Sequence, residues 1–109
     1  MREYLCLSQY KIAFMHVISR KTLRIFWEAH PDAEQPLTRW YGVAKRATWA
    51  NFGELRRAFG SADLVGPYVV FNISGNHYRL VSEIYFNDQV LLVRGVYTHR
   101  EYDELDLKG

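Results

Sequence analysis

Arg79, Arg94, His99 and Tyr102 are the residues of this chain whose types suit chemistry on an anion. A guanidinium keeps its charge at any working pH, and its planar fork matches the oxygens of a phosphate. An imidazole ordinarily titrates at about 6.5, so it exchanges protons near neutrality. Tyr102 follows His99 by three positions, and a helical turn after Thr98 would point both the same way. The chemistry implied is binding of an anion and transfer of a proton beside it.

The elements that must position these residues lie after Pro67, where the apolar period becomes two. "YVVFNI", "HYRLVSEIYF" and "QVLLVRGVY" are strand-like, rich in β-branched and aromatic residues. Gly75-Asn76 and Asn87-Asp88 are the expected hairpin turns between them. A two-residue turn at Asn87-Asp88 opposes Phe86 to Gln89, Val81 to Arg94 and Arg79 to Val96. Arg79 and Arg94 then become diagonal neighbours on one face, roughly 7–8 Å apart at Cα. The Gly75-Asn76 turn sets Asn72 opposite Arg79, and Glu83 and His77 share that face. The opposite face holds Val69, Phe71, Ile73, Tyr78, Leu80, Ile84, Leu91, Val93 and Tyr97, which require a cover of helices. A competing reading has Glu83 or the acidic tail simply neutralise the two arginines.

The preceding chain supplies that cover. "MHVIS" reads as a strand, and Ser19 offers an N-cap. Leu23, Phe26, Trp27 and His30 then recur at helical spacing until Pro31. Asp32 and Gln35 have capping-box spacing for a second helix. Its buried stripe is Leu37, Trp40, Tyr41, Ala44 and Thr48. Asn51 and Glu54 repeat the signal for a short third helix carrying Leu55 and Phe59. "GSADLVGP" reads as a loop. The sum is an α+β fold, an N-terminal strand and two to three helices packed on an antiparallel β-meander.

Composition excludes several classes. The 109 residues are 49% hydrophobic and 16% aromatic, which is one compact domain and not a disordered chain. A single cysteine, Cys6, rules out an intrachain disulfide, and the four histidines fit no zinc spacing. No apolar run approaches a membrane span and no signal peptide is evident, so the cytoplasm is the expected location. Net charge is +2. Residues 15–60 nevertheless hold eight Lys/Arg against four acids, whereas residues 100–109 are acid-rich. The basic part is either a solvated helical face or one turned toward a polyanion. Lys21, Lys45 and Arg46 lie off the apolar stripes and are the candidates to contact that polyanion, which the resemblance described next implies is RNA.

"MHVISRKTLRIFWEAHPDAEQPLTRWY", "VVFNISGNHYRLV" and "VRGVYTHREYDEL" together resemble the HigB toxins of type II toxin–antitoxin systems, within the RelE-like superfamily. The likeness runs over about residues 15–104. It implies a RelE-like toxin fold and a ribosome-dependent mRNA endoribonuclease, or mRNA interferase, that inhibits translation. It implies a metal-free mechanism without cofactor, in which a ribose 2′-OH attacks the adjacent phosphate. The implied partners are the ribosome, mRNA and a helix-turn-helix antitoxin, with DNA reached only through that antitoxin and no membrane. Arg79, Arg94, His99 and Tyr102 match the catalytic roles. Residues 1–14 precede the usual start of such chains and read as a dispensable extension to a domain at 15–109. The alternatives are a gyrase-poisoning toxin of the same superfold and a non-catalytic RNA-binding module.

Overall fold

The computed structural model describes residues 14–105. The reading of residues 1–14 as an extension therefore falls, Phe14 apart, outside the described residues. Packing is already engaged at Met15, which is buried and donates its backbone N–H to Ala47 O at 2.8 Å.

The element order is β1 (His16–Ile18), α1 (Arg20–Ala29), a 3-10 turn (Pro31–Ala33), α2 (Glu34–Lys45), α3 (Phe52–Ala58), β2 (Asp63–Val65), β3 (Tyr68–Ile73), β4 (Tyr78–Tyr85), a 3-10 turn (Phe86–Asp88), β5 (Val90–Thr98) and α4 (His99–Asp103). The strands form one five-stranded sheet in the order β1-β5-β4-β3-β2. β1 runs parallel to β5, and the other pairs are antiparallel. The expected α+β architecture is therefore present, with the N-terminal strand added to the edge of the meander.

Local chemistry explains the element ends. Ser19 Oγ accepts the Thr22 N–H at the start of α1, and Asn51 Oδ1 accepts the Glu54 N–H at the start of α3. The capping box expected from Asp32 and Gln35 does not form: α2 begins at Glu34 without a side-chain cap. The Asp32 carboxylate instead accepts the Tyr78 hydroxyl at 2.6 Å, a tertiary bond that the local spacing cannot reveal. α2 also stops at Lys45, which leaves Thr48 exposed and off the stripe. The expected loop "GSADLVGP" contains β2, because a turn at Gly66, whose φ is 60°, folds Val65 back against Tyr68.

Leu23, Leu37, Leu55, Leu80 and Leu91 are fully buried between the helices and one sheet face, each worth about 1.5–3 kcal/mol of hydrophobic transfer. Trp40, Phe59 and Phe71 interlock edge-on within that core. The other face of the sheet carries Asn72, Arg79, Val81 and Glu83.

Candidate active site

The register of β4 on β5 decides which side chains meet. Tyr85↔Val90 to Ser82↔Val93 agree with the turn expected from sequence, although the loop is longer, with Gln89 in the left-handed region at φ 53°. The register then slips by one: Val81 opposes Gly95 and Arg79 opposes Tyr97. Arg94 is the extra residue of a β-bulge, so Arg94 and Gly95 follow one another without reversing the face. Two sequence expectations fail for that reason. Val96 is buried in the core, and Tyr97 lies on the Arg79 face instead of the core face. The Tyr97 ring lies so close over Gly95 that a Cβ there would meet its hydroxyl at 2.5 Å. Asn72 opposes Arg79 as expected.

Arg79 is only 9% exposed. Its guanidinium donates to Asn76 O and Tyr78 O at 3.2 Å and to Asn76 Oδ1 at 2.9 Å. A fourth bond reaches His99 Nδ1 at 3.2 Å. All of these acceptors are neutral, and among the described residues no carboxylate lies within ion-pair distance of Arg79. The Tyr102 ring sits beneath the guanidinium, 5.8 Å from its centroid.

His99 reaches this place because Tyr78 pairs with Thr98 and the His99 N–H donates to His77 O at 3.0 Å. A capping box then turns the chain at once. Thr98 Oγ1 accepts the Glu101 N–H, and Glu101 Oε1 accepts the Thr98 N–H. Arginine can only donate, so Nδ1 is the acceptor and the neutral ring carries its hydrogen on Nε2. Nε2 in turn lies 3.4 Å from Asp103 Oδ2. Burial pushes the Tyr102 phenol above its ordinary 10.0; the charges of Asp63 and Asp103 add to the rise and Arg79 opposes it. Tyr102 is therefore a protonated donor at neutral pH.

Arg94 is on the same face but in different company. Its Nε and Nη2 donate to Glu83 Oε1 at 3.1 and 2.6 Å, and its side chain is 50% exposed. The hydrogen bond to Glu83, then that carboxylate's charge, raise the guanidinium further above its ordinary value. Arg79, His99 and Tyr102 thus form one cluster, while Arg94 belongs to an adjacent ion pair. Lys21, Lys45 and Arg46 lie on the helical side of the sheet. Lys21 is exposed, the Lys45 ammonium sits 5.3 Å from the Tyr41 ring centroid, and Arg46 donates to Gly42 O at 3.2 Å. A hollow of about 500 Å³ between α1, β5 and α4 includes none of the cluster residues in its lining.

Asn76, Asp103 and the Thr98/Glu101 pair hold the cluster without having been singled out from sequence. Thr98-x-x-Glu101 spells a capping box and Asp103 stands one helical turn after His99, so both were readable signals. Asn76 is legible in the sequence only as a turn residue, and nothing there marks it as a partner of Arg79. Among the described residues, no group of three or more His, Cys, Asp or Glu side chains could hold a metal ion, and no helix is long and apolar enough to cross a membrane.

Helices on one face of a five-stranded mixed sheet make an α+β arrangement consistent with the fold of RelE-like toxins. Residues 33–105 match the HigB toxin family, described as the RelE-like toxic component of a toxin-antitoxin system, and the chain belongs to that family. It is 30% identical over 92 residues to the mRNA interferase toxin HigB of Escherichia coli K12, covering 82% of this chain and 88% of that relative. The same figures relate it to proteins called mRNA interferase HigB from Escherichia coli O157:H7 and Shigella flexneri.

Proposed function

We propose that this chain is an mRNA interferase, a ribosome-dependent endoribonuclease that arrests translation in the cytoplasm until a helix-turn-helix antitoxin neutralises it. The observation that carries this reading is Arg79. A buried guanidinium whose partners among the described residues are all neutral is costly to maintain unless an anion completes it. An RNA phosphodiester supplies that anion between an imidazole and a protonated phenol. The relatives named as mRNA interferases support the same reading. It also accounts for the acid–base residues, which neither a gyrase poison nor a non-catalytic RNA binder requires.

In this mechanism a base removes the ribose 2′-OH proton, and the 2′-oxygen forms a bond to the adjacent phosphorus. The bond from phosphorus to the 5′-oxygen breaks, and that oxygen takes a proton from an acid. His99 moves a proton, Arg79 offsets charge on the phosphate, and Tyr102 positions the reacting groups. Arg94 holds the RNA beside them, exchanging Glu83 for a phosphate oxygen. Side chains handle every proton and charge in this route, so it calls for no cofactor. Lys21, Lys45 and Arg46 hold ribosomal or messenger RNA on the helical side, DNA is met only through the antitoxin, and residues 1–14 are dispensable.

The test is mRNA cleavage on ribosomes by the full chain and by His99→Ala. The variant is expected to lose about 10²–10⁴ in rate while melting normally. A folded His99→Ala protein that cuts mRNA at the wild-type rate would remove His99 from the mechanism.

A further inference from the structure

We infer that His99 Nδ1 is the general base of the proposed cleavage, and that Asp103 is the positioning residue that keeps it so. The inference rests on the ribonuclease reading and adds which nitrogen works and what holds it. Nδ1 accepts from Arg79 at 3.2 Å, so in the resting protein its lone pair points at the guanidinium. The opposite nitrogen, Nε2, carries the hydrogen and faces Asp103 Oδ2 at 3.4 Å. An imidazole with a carboxylate beside one nitrogen and an accepting lone pair on the other has the arrangement of a general base.

The Arg79 bond gives this base a second property. In the free protein the lone pair is occupied, and the guanidinium has no carboxylate to turn to among the described residues. A phosphate oxygen is a stronger, charged acceptor than a neutral imidazole nitrogen. On substrate binding Nη2 transfers its hydrogen bond to the phosphate, which exposes Nδ1 beside the same phosphate. The 2′-OH proton then passes to Nδ1, the 2′-oxygen bonds to phosphorus, and the positive charge on the ring is balanced by Asp103. The leaving 5′-oxygen takes its proton from a separate acid, for which the protonated Tyr102 phenol is within the cluster. The base is thus uncovered only by the anion it acts on.

Asp103 is exposed and stands one turn after His99 on α4, so its removal changes the field at Nε2 without opening the core. The experiment compares the full chain with Asp103→Ala and Asp103→Glu. Nitrogen-15 NMR of histidine-labelled protein without RNA reads the tautomer, with the His99 signal assigned by its loss in His99→Ala. Cleavage of mRNA on ribosomes gives kcat and KM separately. The wild type is expected to hold the Nε2–H tautomer. Asp103→Ala is expected to mix the tautomers and lower kcat about 10-fold, as loss of a supporting partner does, with KM unchanged. Asp103→Glu should recover part of both.

An unchanged tautomer in Asp103→Ala overturns the positioning role. A mixed tautomer with unchanged kcat overturns Nδ1 as the base. A wild type with Nδ1–H as its dominant form overturns both. Failure of the ribonuclease reading is separate and visible: the wild type itself would then cut no mRNA on ribosomes, whatever the spectra show, whereas cleavage that survives in His99→Ala removes only His99.

Discussion

Two arginines on one sheet face have opposite settlements. Arg94 is half exposed and closed by Glu83, with two hydrogen bonds to one carboxylate oxygen. Arg79 is nearly buried and is held by a carbonyl-and-amide cradle and an imidazole. The exposed pair is electrically complete, and such pairs add little to stability. The buried one is satisfied in hydrogen bonds yet meets no counter-charge among the described residues. A site for an anion needs the second kind, because its cation is already desolvated and oriented and holds no carboxylate among the described residues that an anion must expel.

Replacing each arginine should separate the two roles. Arg79→Ala removes the charge-stabilising donor and is expected to cost about 10²–10³ in cleavage rate on ribosomes. Equal losses in Arg79→Ala and Arg94→Ala would erase the distinction. For Arg94→Ala the expected loss is smaller, about tenfold, and expressed as weaker, less salt-sensitive RNA binding because one phosphate contact is gone. Glu83→Gln sharpens the contrast: it frees Arg94, so RNA binding should tighten in a filter or co-sedimentation assay. Tighter binding that depends equally on Arg79 would argue against separate subsites.

The anchor under Arg79 gives a third measurement. Tyr78 precedes Arg79 on β4, faces the core, and has its phenol pushed up to about 12, first by the hydrogen bond to Asp32, then by burial and Asp32's charge. The folded protein favours the neutral phenol. The stability it contributes is therefore complete below the ordinary value of 10.0 and is lost as pH rises toward about 12. Melting temperature should fall over that window in the wild type and fall less in Tyr78→Phe. Identical pH profiles would show that the Asp32 bond contributes nothing.

The smallest effect is expected on the helical side. Neutralising Lys21, Lys45 and Arg46 together should weaken ribosome co-sedimentation in a salt-dependent way and leave kcat intact. The melting temperature should barely move, since the Lys45–Tyr41 contact is worth only about 0.5–1 kcal/mol at an exposed site. Unchanged co-sedimentation would make this an ordinary solvated face, and a loss of kcat would tie it to the Arg79 cluster after all.

The sequence by itself determined the α+β order, the Ser19 and Asn51 caps, the core leucines and the face shared by Asn72, Arg79 and Glu83. Those follow from local period and short-range hydrogen bonding, which are written along the chain. It also identified the family, through stretches that span most of the described fold. Tertiary structure decided the rest. Arg94-Gly95 inserts one extra residue into β5, and a single-residue slip in a period of two exchanges the faces of Val96 and Tyr97. Asp32 leaves its helix for a phenol 46 positions away. Arg79 and Arg94 share a face as their alternation requires. Yet only the folded chain brings Asn76 and His99 to one guanidinium and Glu83 to the other, because partner choice depends on side-chain reach and burial across strands, and neither is recorded in spacing along one of them.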